Sequence, residues 1–369
     1  MRIAMVGVRG IPAGVGGAEH VVEELTRELT GRGHEVLVYS RRAYVAGSPP
    51  PEWGRRIITA SIPGKHLETI THTATALADV LRRRVDLIHL HSPGPAAMTW
   101  LPQLAGIPTV LTLHAPDWLR DKWSSPAKAA LRLGLACGMR LADEVTCVSK
   151  SLAEDLSAQF RREVHYIPNG IRPVQPLPPR AIARWGLDKA GYVLTVGRIV
   201  PEKRLDMLLD AWADLEDKAG IRLAVVGDFA SSSYGRSCHS RAGADVVFLG
   251  TQTGRILSEL YSNAELVVLP SALEGMSLVL LEAAAYGRCI LAADIKANLD
   301  TMGDSIVYFQ YKDGLDLRRQ LRRLLKSQEL RRSIGESTTA QVLVSFKWSS
   351  AAELLERVYN RAVLQAGGL

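Results

Sequence analysis

The feature that most constrains this chain is a pattern that occurs twice. A short apolar run ends in a glycine-bearing loop, a helical pattern follows, and a second apolar run closes the unit. Ile3 to Val6 leads through Gly7 to a helical stretch at Ala18 to Thr30 and a strand at Glu35 to Tyr39. Far downstream, Val196-Gly197-Arg198 closes another strand ahead of a helix at Leu205 to Leu215 and a strand at Arg222 to Val226. Alternation of this kind specifies parallel sheets wrapped by helices. Further strands are expected at Leu87 to Leu90, Thr109 to Leu113, Glu144 to Val148 and Val164 to Tyr166.

Between the two halves the chain reads Pro168-Asn169-Gly170-Ile171-Arg172-Pro173-Val174-Gln175-Pro176-Leu177-Pro178-Pro179. Proline has no N–H to give to a sheet, so this segment reads as a semi-rigid linker. With 369 residues, the chain suits two domains of roughly 100 to 200 residues each. The expected fold class is α/β, with two Rossmann-like parallel-sheet domains facing across a cleft. Residues 1–170 are expected to form the N-terminal domain and 171–345 the second. A C-terminal helix, 346–369, carries Trp348, Leu354, Leu355, Val358 and Tyr359 at helical spacing and packs back on the N-terminal domain. Ligands of such sheets sit beyond the carboxyl ends of the strands, where the strand order reverses.

Composition removes several alternatives. With 47% hydrophobic and 22% charged residues, the chain is neither disordered nor collagen-like. Cys137, Cys147, Cys238 and Cys289 form no Cys-x-x-Cys pair, which excludes a zinc ribbon or thioredoxin-type motif and suits a reducing cytosol. The first apolar run is too short for a signal peptide, and no stretch approaches the ~20 apolar residues that span a bilayer. A cytoplasmic location is expected. The net charge of +7 divides into +4 through Gly170 and +3 beyond it. Charge is not gathered into a basic domain, so nucleic-acid binding is not expected.

Three loops carry the chemistry. The first, Arg9-Gly10-Ile11-Pro12-Ala13-Gly14-Val15-Gly16-Gly17-Ala18-Glu19, runs onto a helix, where glycines and free amides suit a diphosphate. It lacks Gly-x-Gly-x-x-Gly, and the next strand ends in Tyr39-Ser40-Arg41-Arg42 without the acid an NAD ribose requires, which argues against NAD. The second loop, Gly197 to Arg204, sets Arg198 and Lys203 at a strand end, where cations stabilise charge growing on a leaving group. The third, Ser271 to Ala283, places Glu274 in a glycine turn and Glu282 within the helix that follows. An acid at Glu282 accepts from ribose hydroxyls while amides of Met276 to Leu278 meet phosphate oxygens. His89 and His91 alternate on one strand and point to one side; no third ligand is evident beside them, so a metal site is not expected.

These residues, with the Glu-x7-Glu spacing of Glu274 and Glu282 as the most discriminating part, resemble the retaining GT-B glycosyltransferases of family 4 over essentially the whole chain. The resemblance assigns Glu274 to the donor sugar, Glu282 to the ribose, and Arg198 and Lys203 to the diphosphate. Gly16 and Gly17 serve the phosphates or the acceptor side. Gly197, Gly275, Met276, Ser277 and Leu278 line the diphosphate, Leu249 and Gly250 flank the base through backbone atoms, and His114 lies near the sugar. The resemblance implies that 1–170 is the acceptor-binding domain and 171–345 the nucleotide-sugar-binding one, with a UDP- or GDP-sugar as donor. Ala18 and Ala115 depart from the residues frequent in the family and bear on acceptor recognition. No Asp-x-Asp occurs, which suits an enzyme needing neither metal nor cofactor.

Val6 to Pro12 and Trp118-Leu119-Arg120-Asp121-Lys122-Trp123 resemble the subgroup that builds bacterial surface polysaccharides, implying a lipid-linked or saccharide acceptor. Peripheral contact with the inner membrane face would fall to Arg41, Arg42, Arg55, Arg56 and Arg82 to Arg84. Three other readings share the architecture. A nucleotide-sugar epimerase needs acids near the diphosphate that are not identifiable, and a glycogen-type phosphorylase needs a longer chain and a lysine anchoring pyridoxal phosphate. A non-catalytic nucleotide-sugar-binding protein would keep Glu282 yet have no need of Glu274 and Lys203.

Overall fold

Strands form where apolar side chains run without interruption, because a parallel sheet covered on both faces leaves no polar side. The computed structural model describes residues 1–14, 16–45, 47, 49–64, 67–188, 191–218 and 220–366. Val15 of the first glycine loop and the last three residues of the expected C-terminal segment lie outside the described residues. The chain divides into two compact units, one of residues 1–170 together with the segment from Trp348 onward, the other of residues 171–347.

In the first unit the strands are β1 (Arg2–Val6), β2 (Glu35–Arg41), β3 (Arg55–Thr59), β4 (Leu87–His91), β5 (Thr109–Leu113), β6 (Glu144–Cys147) and β7 (His165–Tyr166). They form one parallel sheet in the order β3-β2-β1-β4-β5-β6-β7. The order reverses at β1, whose Ile3 pairs with Val36 on one side and Leu87 on the other. Helices α1 (Gly17–Gly31), α2 (Leu67–Val80), α3 (Ser125–Leu141) and α4 (Lys150–Phe160) belong to the connections. Ala4, Leu37, Leu77, Ile88, Leu111 and Val145 are among the fully buried core.

The second unit repeats the plan with β8 (Tyr192–Val196), β9 (Arg222–Val226), β10 (Val246–Phe248), β11 (Leu266–Leu269), β12 (Cys289–Ala293) and β13 (Val307–Phe309). The parallel order is β10-β9-β8-β11-β12-β13, so the reversal falls between β8 and β11. Helices α5 (Leu205–Ala213), α6 (Gly254–Asn263) and α7 (Leu278–Ala285) follow β8, β10 and β11. Trp212 of α5 is buried with Leu208, Leu223, Leu266 and Leu291.

The last helix, α8 (Trp348–Ala366), buries Trp348, Ala351, Ala352, Leu355, Val358, Tyr359 and Ala362, one stripe at helical spacing. It lies against α1, β5 and β6. Glu356 receives His34 Nε2 at 2.7 Å and Arg32 at 2.9 Å, and Arg361 reaches Glu144 at 3.1 Å. Phe346 and Lys347, expected in this helix, instead belong to the second unit, where Phe346 O accepts from Ile171 N at 2.9 Å. Of the linker residues, Leu177 donates its N–H to Ser262 Oγ and accepts from Asn263 Nδ2, so this stretch is fastened to α6.

The cations expected to meet lipid divide. Arg41 ends β2 with 6% exposure, its guanidinium 3.4 Å from Glu68 and 3.3 Å from Thr69, so it is withdrawn from any surface role. Arg83 is paired with Asp79, and Arg56 donates to Ile11 O. Arg42, Arg55, Arg82 and Arg84 are exposed. Among the described residues no helix is long and apolar enough to cross a membrane.

Candidate functional site

At the strand-order reversal of the second unit, the carboxyl ends of β8, β9 and β11 diverge and leave a depression. Gly197, Arg198, Ile199, Lys203, Leu269, Pro270 and Ser271 are among its lining residues. The loop after β8 closes tightly on the one after β9, since a Cβ on Gly227 would lie 2.1 Å from Gly197 O. Gly227 itself has φ +155°, a backbone setting that L side chains rarely adopt.

A single helical turn, Pro201–Lys203, then aims Lys203 back over the depression. Its Nζ forms an ion pair with Glu274 Oε1, both side chains being mostly buried. Ala272 N donates to Glu202 O at 2.8 Å, which ties the loop after β11 to the loop after β8 and holds the pair in register. Lys203 and Glu274, assigned separate partners from the sequence, are thus joined as one unit. Arg198 is half-buried beside them.

Gly275, Met276 and Ser277 precede α7 and are buried, while Leu278 is its first residue. Ser277 caps the helix without a side-chain hydrogen bond, so its hydroxyl does not occupy the first-turn amides. Glu282 stands in the second turn of this eight-residue helix and accepts the Tyr261 hydroxyl at 2.7 Å. Tyr261 is fully buried, and burial together with the Glu282 charge pushes its hydroxyl pKa far above the usual tyrosine value, so it remains a donor.

The two residues expected to flank the base, Leu249 and Gly250, have part of their backbone committed within the fold. Leu249 N donates to Val225 O at 2.9 Å and Leu249 O accepts from Gln252 Nε2 at 2.5 Å, while Gly250 O accepts from Gly227 N at 2.9 Å. Each carbonyl has a second lone pair, so these bonds leave both residues with backbone capacity for a base.

Two residues gained no role from sequence. Ser271 is fully buried with its Oγ unpartnered at the depression wall. Tyr261 comes from α6, one helix away from Glu282. Ser271 opens the block that holds both glutamates, a signal that was present; Tyr261 has none.

In the first unit, Gly16 caps α1 at φ +147° and Gly17 is the first helical residue. Glu19 turns back so that its Oε1 accepts from Arg9 N at 3.3 Å, bracing the glycine loop. His114 follows β5 and is half-buried. Its Nε2 lies 3.1 Å from His91 Nδ1, so a third histidine does stand beside His89 and His91, contrary to expectation. The register carries it there, since His91 pairs with Thr112 and His114 comes two residues later. The nitrogens of His89 face Tyr359 OH at 2.7 Å and Thr112 Oγ1 at 2.6 Å. Burial lowers the pKa of His89 to about 3 and of His114 to about 4, and holds His91 well below its usual value. All three are neutral at pH 7.

Among the described residues one group has ligand atoms within 4.8 Å of one another, His20, Glu23 and Glu24 on α1. Glu23 Oε2 accepts Ala13 N at 2.5 Å and Glu24 pairs with Arg27 at 3.2 Å, so both acids are already in use within the fold.

Two doubly wound sheets, a cationic loop at the reversal of the second, and a helix with uncapped amides beside two glutamates define a GT-B glycosyltransferase. Residues 15–175 match the model of Glycosyltransferase Family 4 and residues 180–341 that of Glycosyl transferases group 1. The chain belongs to glycosyltransferase family 4. It is 28% identical to a D-inositol 3-phosphate glycosyltransferase of Salinispora arenicola over 95% of this chain and 88% of the relative. Its fold matches sucrose-phosphate synthase from Thermosynechococcus elongatus with a TM-score of 0.80 at 22% identity, over 99% of each chain. Anabaena HepE, solved in complex with UDP-glucose, matches with a TM-score of 0.80 at 19% identity, over 98% of this chain and 100% of that one.

Proposed function

We propose that this glycosyltransferase moves a sugar from a UDP- or GDP-sugar to a hydroxyl of a lipid-linked or saccharide acceptor, retains the anomeric configuration and uses no metal. The reading belongs with the assembly of bacterial surface polysaccharide, at the inner membrane face. The observation that carries it is the Lys203–Glu274 pair standing with Arg198 over the depression at the strand reversal. The UDP-glucose complex of HepE supports the donor class.

As the bond from the anomeric carbon to the diphosphate oxygen breaks, its electron pair goes to the diphosphate. Arg198, Lys203 and the α7 amides offset that charge, in place of a divalent cation. The acceptor oxygen bonds to the same face of the carbon, and its proton passes to the departing phosphate oxygen. Glu282 holds the ribose with its remaining lone pairs, Glu274 holds the sugar, and His114 serves the sugar as the family resemblance implies. Incubation with UDP- and GDP-sugars in a chelator, read by released nucleoside diphosphate and by proton NMR of the product anomer, tests the reading. An inverted product, or turnover only with added metal, overturns the retaining or the metal-independent part.

A further inference from the structure

Three imidazoles stand in a row within the first unit. The centroids of His89 and His91 are 4.1 Å apart and those of His91 and His114 are 5.3 Å apart, with planes inclined by 38° and 27°. Each ring is neutral, so each carries one N–H and one lone pair. A neutral ring's proton sits on whichever nitrogen its neighbours leave it, and hydrogen-bond satisfaction decides which.

His89 is settled by Tyr359. The Tyr359 hydroxyl is fully buried with His89 Nδ1 as its partner at 2.7 Å, so it donates there. His89 therefore carries its proton on Nε2 and donates to Thr112 Oγ1 at 2.6 Å, which in turn lies 2.5 Å from Thr146 Oγ1. Both nitrogens of His89 are taken, and neither accepts from His91.

His91 is settled by its own burial. It has no exposed surface, and its Nε2 has no hydrogen-bond partner among the described residues. One proton occupies the 3.1 Å line between His91 Nδ1 and His114 Nε2. If it belonged to His114, the proton of His91 would sit on Nε2 as a buried N–H without an acceptor, a loss of about 1 to 3 kcal/mol. If it belongs to His91, the stranded group is a single acceptor lone pair, and in folded proteins orphaned buried acceptors are less rare than orphaned N–H donors. His114 then accepts at Nε2 and holds its own proton on Nδ1, an atom that makes no hydrogen bond among the described residues. The nearby carboxylate of Asp117, which favours a proton on His114, is held by Arg120 at 2.6 Å.

We infer that His91 is a positioning residue that fixes His114 in the Nδ1–H form, so that His114 offers a donor, and not a base, to an accepting oxygen such as a sugar hydroxyl. The inference rests on the proposed role of His114 at the sugar. It narrows that role, because a ring locked by His91 has no lone pair to present to its ligand.

The test is long-range proton–nitrogen NMR on protein labelled at histidine, with the His114 signals assigned by their loss in His114→Asn. The expected wild-type spectrum has the His114 proton on Nδ1, and a proton on Nε2 overturns the inference without any variant. His91→Phe keeps a ring in the row but removes the donor, and it should give His114 a mixture of both forms. It should also lower kcat about 10- to 100-fold, by analogy with the loss of residues that orient a functional imidazole, with a smaller change in KM. His91→Asn, whose amide reaches the Nδ1 position, should restore the Nδ1–H form and most of kcat. An unchanged His114 form in His91→Phe overturns the inference. A changed form with unchanged kcat upholds the proton placement and overturns the role of His114 at the sugar.

Discussion

Lys203 and Glu274 meet as an ion pair although 71 residues separate them in sequence. Each comes from the loop at the end of a strand, and β8 and β11 are neighbours only because the order of the sheet reverses between them. The two loops are pinned to one another by the Ala272–Glu202 backbone bond.

Lys203→Ala should lower kcat by on the order of 100-fold, the scale for removing one preorganised charge-stabilising donor, with a smaller rise in donor KM. Steady-state kinetics in varied donor concentration checks this; a raised donor KM with kcat unchanged would assign Lys203 to uniform binding. The double variant Lys203→Ala with Glu274→Ala should lose less than the sum of the singles, because each single strands a mostly buried partner.

Tyr261→Phe removes the hydroxyl that orients Glu282. Stability should fall by about 1.5 to 3 kcal/mol, the range for a hydrogen bond to a charged group, read from urea midpoints. Affinity for a nucleoside diphosphate should weaken in the same variant, by calorimetry, while kcat at saturating donor holds. Unaltered affinity would detach Glu282 from the ribose.

Acid should destabilise the protein well before its carboxylates titrate. His89 has a pKa of about 3 in the fold against 6.5 in the unfolded chain, through burial and then the nearby His114. The unfolded chain binds the extra proton below about 6.5, so this stability is complete above that pH and lost as pH falls toward 3. His89 alone should remove about 1.4 kcal/mol per pH unit across that window. Urea melts at pH 7.5, 6 and 5 measure the slope, and a flat response would refute a neutral His89.

Trp348→Ala should cost about 3 to 5 kcal/mol, as for other buried tryptophans, because its side chain, at the start of α8, is 3% exposed. Hydrogen exchange should rise in α1, β5 and β6, which α8 covers, and stay unchanged in β8 to β13. Uniform exchange would mean that the two units share one unfolding transition.

Much of the fold was legible where burial is two-sided. Thr109–Leu113 and Arg222–Val226 stand where the apolar runs placed them, since a strand covered on both faces writes itself as a continuous run. Arg55–Thr59 escaped notice because β3 is an edge strand whose residues are exposed or half-buried, and its polar start hides the pattern. At the site, residue types at strand ends were readable but pairings were not. Lys203 with Glu274, Tyr261 with Glu282 and His91 with His114 all depend on which strands and helices become neighbours, and that order is a property of the sheet, not of any local stretch.

The excursion of the chain through the second unit has a bearing on synthesis. The first unit is left at Gly170 and resumed at Trp348, side by side, since a Cβ on Gly170 would lie 2.3 Å from Trp348 N. A ribosome adding about 5 to 20 residues per second therefore completes the second unit while the first still lacks α8. Until that helix emerges, the stripe of α1, β5 and β6 that it covers stays open, and His89 waits for Tyr359. The half of the protein begun first is finished last.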